Sequence, residues 1–120
     1  MPRFLAVYMM KGDNVAAFRK LPKAEQAAID AAGLKAWAEW DARNAAALVE
    51  PSRMVGKTLR VTTAGIAPAA NEICGVMVLE AESIQAAARL VQDHPHFTIF
   101  PGDGVDLMPF VTEPPPEDAA

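Results

Sequence analysis

The sequence predicts an α+β domain in which two helices lie on one face of an antiparallel sheet, and three observations predict it. Two stretches, "RFLAVYMM" and "EICGVMVLEA", are apolar at nearly every position, as strands covered on both faces are. Each is followed by a segment rich in alanine and other good helix formers. The chain then closes on "HFTIF" and "VDLMPF", short apolar runs separated by "PGDG", a turn or bulge rich in residues that tolerate positive φ.

Residues 3–10 are the first expected strand, closed by the turn signal "KGDN". Residues 22–50 are expected to form one helix, with Pro22 suited to its first turn, Pro51 as its stop and Gly33 as a kink. "MVGKTLRVTT" (54–63) alternates in its second half, with Leu59 and Val61 on one side and Thr58, Arg60 and Thr62 on the other, so a half-exposed strand is expected. "AGIAPAAN" reads as a loop, and residues 72–81 as a central strand. Ser83 can then cap a helix whose buried stripe is Ile84, Ala87, Ala88 and Val91. Pro95 ends that helix, because the residue before a proline is pushed out of helical conformation. Strand, helix, strand, strand, helix, strand is the split βαβ order of ferredoxin-like βαββαβ domains. Nothing is left to cover the other sheet face, so a second copy of the chain, a homodimer, is the expected cover.

The 120 residues suit one domain, expected over residues 1–111, with 52% hydrophobic and 22% charged residues arguing against disorder. The end, "TEPPPEDAA" (112–120), can neither build a core nor pair as a strand, and is expected to be a Pro-rich disordered tail. The net charge of −4 and the scatter of the basic residues from Arg3 to Arg89 make nucleic acid a poor partner. No apolar run is long enough for a membrane span, and the opening one is too short for a secretory leader. A single cysteine, Cys74, suits a small buried thiol and a reducing cytoplasm.

Candidate functional residues come from the first helix and from "DHPHF". At 100° per residue, Lys35, Glu39 and Arg43 fall on a solvated side. Trp37, Trp40, Leu34 and Leu48 gather opposite, but Asp30, Asp41 and Asn44 share their arc. An unpartnered buried carboxylate costs several kcal/mol or takes up a proton, so Asp41 implies a positive partner, a hydrogen-bond network, a water-lined cavity, or else a place at the rim. Alone, Trp37 and Trp40 would be core residues; beside Asp41 and Asn44 they can form a platform for an apolar or aromatic ligand.

His94 is expected in the last turn of its helix, where the dipole favours the protonated ring, and His96 at the opening of a strand, pointing with Thr98. As metal ligands the pair lacks a third partner, and no metal is expected. As acid/base groups they are better placed, since a histidine beside a carboxylate titrates near neutrality. There is no serine nucleophile elbow, no phosphate-cradling glycine loop and no cysteine with an evident base.

The opening strand "FLAVYM", the segment "AWAEW" followed by "AALVE", the strand "ICGVMVLEAES" running into "IQAAARLVQDHPHF" and the terminal "PGDGVDLMP" resemble the YCII-related (YciI-like) family, in the branch often called DGPF-domain proteins. The resemblance covers residues 3–110. It implies a dimeric α+β barrel with a cleft between sheet and helices, and a histidine–aspartate pair as active site. In this chain His96 or His94 with Asp41 would supply that pair.

Three functions follow as expectations. One is a cofactor-independent enzyme of isomerase, lyase or oxygenase type, with His96 or His94 as acid/base and Asp41 orienting or balancing charge. The second is a small-molecule binding or regulatory module using Trp37, Trp40 and Asn44. The third is a domain for association alone.

Overall fold

The computed structural model describes residues 1–111. The tail expected over residues 112–120 lies outside them. The elements are β1 (Arg3–Met9), α1 (Gly12–Arg19), α2 (Lys23–Arg43), β2 (Leu48–Met54), β3 (Thr58–Thr62), β4 (Gly65–Ala69), β5 (Ile73–Glu80), α3 (Ile84–Val91), α4 (Pro95–Thr98) and β6 (Gly104–Pro109).

Four strands form one sheet in the order β2-β5-β1-β6, every neighbouring pair antiparallel. With α2 and α3 as its crossovers, this is the ferredoxin-like βαββαβ arrangement. The two continuously apolar stretches, β1 and β5, lie side by side at its centre, with Ala6 opposite Met77 and Val7 opposite Val76. Alternation sends Phe4, Ala6, Tyr8, Met77 and Leu79 to the face where Trp40, Ala87 and Val91 pack, and the core is there. Leu5, Val7, Val76 and Val78 point to the opposite face.

Several expected boundaries are corrected. The helix expected over residues 22–50 ends at Arg43, where Asn44 Nδ2 donates to the Trp40 carbonyl at 2.9 Å. Leu48 to Glu50 belong instead to β2, an edge strand paired to β5. Helix propensity yields there to sheet pairing. Pro51, read as a helix stop, sits inside β2 between Glu50 and Arg53, where the register shifts, as a proline in an edge strand can. Gly33 does not interrupt α2; a side chain there would run into the Phe100 ring.

The strand expected over 54–63 is β3, and the expected loop after it contains β4; together they form a separate two-stranded hairpin. Gly65, at φ +128°, takes the backbone conformation that lets the chain reverse. Leu59, Val61 and Ile66 remain 66%, 71% and 69% exposed. α1 occupies the region read only as a turn signal. α3 is capped by Ser83, whose Oγ accepts from the Ala86 N–H at 3.0 Å, but its buried residues are Ala87 and Val91, while Ile84 and Ala88 are exposed. "HFTIF" does not form a strand: Pro95–Thr98 is the short helix α4.

Candidate functional site

α4 exists because of "HPH". The residue before a proline is held extended, and proline fits the first helical position, where no N–H is needed. His94 takes φ −64°, ψ 134° and becomes the N-cap of α4 rather than the end of α3. Its Nδ1 accepts from the His96 N–H at 3.0 Å. This cap turns both imidazoles inward: His94 is 0% and His96 3% exposed.

They meet Tyr8 of β1, which is also wholly buried. Tyr8 Oη lies 3.2 Å from His94 Nε2, 2.5 Å from Ser52 Oγ and 3.1 Å from Met77 Sδ. Trp37 stands edge-on to His94 at 4.4 Å between ring centres, and Trp40 is 4.6 Å from the same ring. His96 Nε2 is 2.8 Å from the Met9 carbonyl, to which it donates. The bulge between Tyr8 and Met9 lies beside that contact.

Above this cluster is an open cleft of about 400 Å³ lined by Leu34 and Trp37 of α2, Ser52 and Met54 of β2, Cys74 of β5, His96 of α4, and Met10 and Phe100. Its walls are mostly apolar, with few polar groups, which is the usual make-up of a small-molecule site. Burial pushes His94 down to about 4, and the neighbouring His96 adds to the effect. The dipole argument for a protonated His94 therefore fails: the ring caps a following helix and is desolvated. His96 is lowered too, by burial, against the opposing hydrogen bond to Met9. Burial raises Tyr8 far above the ordinary phenol range, Ser52 pulls against this, and the charge of Asp41 adds to it.

The structure brings His94, His96, Trp37 and Trp40 together around Tyr8 and disperses the other expected site residues. Trp40 is core, 0% exposed, its Nε1 donating to the Leu90 carbonyl at 3.0 Å, and it does not line the cleft. Asn44 closes the end of α2. Asp30 is exposed. Asp41 is half-buried; among the described residues no hydrogen bond or ion pair joins it to either histidine, and its Oδ1 is buried without a partner. Desolvation raises its carboxyl above the usual range. Cys74 is half-buried and lines the cleft, its thiol donating to the Tyr8 carbonyl at 3.4 Å. Tyr8 and Ser52 were not among the expected site residues. After Arg3 at its start, Tyr8 is the one polar-tipped residue of an otherwise apolar β1, a signal that could have marked it.

No protein-family model matches the chain, and no curated protein does. Among solved structures, it is similar to 5-chloro-2-hydroxyhydroquinone dehydrochlorinase (TftG) from Burkholderia phenoliruptrix AC1100 in complex with 2,5-dihydroxybenzoquinone. The match has a TM-score of 0.50 and 16% identity, and covers 90% of this chain and 92% of that chain. The likeness is one of fold. Among the described residues no group of three His, Cys, Asp or Glu side chains could hold a metal ion, and no helix is long and apolar enough to cross a membrane.

Proposed function

We propose that this chain is a YCII-related domain that binds a small organic molecule in the cleft between the sheet and α2 and α4. His96 serves there as acid/base group in a cofactor-independent reaction of isomerase, lyase or oxygenase type. One observation carries the reading: an apolar-walled cleft in which an imidazole meets the lumen beside a buried tyrosine–histidine pair. Trp37 and Phe100, with ring centres 6.0 Å and planes 61° apart, meet edge to face and offer aromatic surface on the cleft wall for a flat ligand to lie against, and the quinone bound to the structurally similar dehydrochlorinase is flat. Trp37 is the ligand platform; Trp40 and Asn44 support α2 from behind. His94 acts through Tyr8, and Asp41 through its charge on Tyr8. The domain works in the cytoplasm as a homodimer joined through its helix-free sheet face.

A second reading, a binding module without catalysis, is favoured by the lack of any carboxylate bonded to either histidine ring among the described residues. The two separate in one experiment. Titration with 2,5-dihydroxybenzoquinone should quench fluorescence in the wild type and not in Trp37→Phe, and the absorbance of the bound compound reports turnover. Turnover that falls at least about a hundredfold in His96→Gln, the usual scale of a lost acid/base group, supports catalysis. Binding without turnover, unchanged in His96→Gln across a panel of hydroxylated aromatics, supports the module. A panel without any binder sinks both.

A further inference from the structure

A backbone N–H, one imidazole and two hydroxyls form a row of hydrogen bonds that ends at the cleft wall, and the direction of each follows from what its partners can donate. The His96 backbone N–H donates to His94 Nδ1 at 3.0 Å, so that nitrogen carries no proton and neutral His94 carries its proton on Nε2. Nε2–H then donates to Tyr8 Oη at 3.2 Å. The phenol keeps its own proton for Ser52 Oγ or for Met77 Sδ, and a hydroxyl oxygen is the better acceptor, a thioether a weak one. Ser52 Oγ, accepting from Tyr8, is left with a proton whose protein partner is the Met77 sulfur at 3.7 Å.

Of the other side-chain donors on the cleft wall, the thiol and the imidazole have spent their protons, while the Trp37 indole N–H makes no hydrogen bond among the described residues. The Cys74 thiol donates to the Tyr8 carbonyl, and His96 Nε2–H to the Met9 carbonyl. Ser52 lines the cleft, whereas Tyr8 and His94 are fully buried behind it. We propose that Ser52 is a fixed hydrogen-bond donor of this cleft, held by the row behind it as the Trp37 indole is not, and that it selects ligands presenting a carbonyl-type oxygen on a flat apolar frame. Tyr8 and His94 are positioning residues: by donating along the row they hold Ser52 Oγ as an acceptor on the protein side and aim its proton at the ligand. The inference rests on the reading of the cleft as a binding site and adds the atom that discriminates.

The test uses two probes of one shape, indan-1-one and indane, which differ by a carbonyl oxygen, with the methyl resonances of Met10 and Met54 reporting occupancy. The wild type should bind the ketone about three- to tenfold more tightly, the span a single net hydrogen bond gives. Ser52→Ala should bring that ratio to about one while still binding indane, Ser52→Thr should retain it, and Tyr8→Phe should reduce it. A wild-type ratio of one, or a ratio unmoved in Ser52→Ala, overturns the role of Ser52 and leaves the cleft as a binding site. If neither probe shifts either methyl, the cleft reading fails and this inference fails with it.

Discussion

Two glycines touch the site from opposite sides, and each keeps a ring in place by lacking a side chain. A Cβ on Gly102 would collide with the His96 ring and with the His96 carbonyl oxygen, backbone that cannot step aside. Gly102→Ala should therefore cost about 1–3 kcal/mol, the usual range for overpacking, seen as a lower denaturation midpoint, and should displace His96 from the cleft. On Gly33 the nearest obstacle is the tip of the Phe100 ring, which can swing, and alanine gains helix propensity over glycine by up to ~1 kcal/mol. Gly33→Ala should thus leave stability nearly unchanged but weaken ligand binding, because the displaced ring belongs to the cleft wall. His94 makes a pH prediction. Its ordinary value of 6.5 falls to about 4 in the fold, so between those values the unfolded chain binds a proton that the folded chain refuses. The stability contributed by neutral His94 is complete above 6.5 and lost as pH falls toward 4. His96 works in the same direction, and Asp41, pushed up, in the opposite one. His94→Asn keeps an acceptor for the His96 N–H and should flatten the slope of denaturation midpoint against pH in that window; an unchanged slope would show that His94 is not the group responsible. At this scale the sequence singled out both imidazoles but misplaced them, His94 in the last turn of α3 and His96 at the opening of a strand. A capping histidine and a terminating histidine look alike beside a proline, and only the far end of the chain, Tyr8 and Ser52, shows which way the rings turn.

Elements were readable where local pattern and tertiary pairing agree. β1, β5, α3 and β6 follow from apolar runs and a serine cap, and all four appear close to their expected bounds. The errors lie where a local preference is met by two structures. Pre-proline extension both ends a helix and starts one, so "HPHF" became α4 rather than a strand opening. "ALVE" has the composition of a helix, yet Leu48 pairs with Leu79 and extends the sheet, moving β2 upstream of the stretch expected to supply it. That shift places Ser52 next to Tyr8, where the proposed site needs it. The alternation of Leu59 and Val61 with threonines was real, but a strand's alternation says that one face is apolar and not which sheet it joins. The hairpin takes that face away from the sheet and presents Val61 opposite Ile66 to solvent.

At the scale of the whole molecule a four-stranded sheet carries α2, α3 and α4 against one side, with the β3–β4 hairpin apart from it, and the thinnest dimension, 18 Å, holds a sheet and a single helix layer. The opposite side carries the half-buried Leu5 and Val76 and the exposed Met108, with Val7 and Val78 between them already buried within the chain. At its margin lies a hollow of about 530 Å³ whose lining includes Arg3, Val49, Glu50, Val78 and Phe110. Apolar area of this kind suits the proposed homodimer, in which a two-fold axis lets one face cover its own copy, and the Arg3–Glu80 ion pair at 3.4 Å and Glu50 lie at its rim. Sedimentation at about ten micromolar should find a dimer, since an interface of ordinary size holds at that concentration. Met108→Lys buries a charge without a partner in that interface and should raise the dissociation constant at least about tenfold, while the monomer keeps its midpoint because the side chain is 42% exposed there. Val61→Lys tests the rival surface. If the hairpin substitution separates the copies and the sheet substitution does not, the dimer forms through β3 and β4, and a wild type that sediments as a monomer would mean that neither face is an interface.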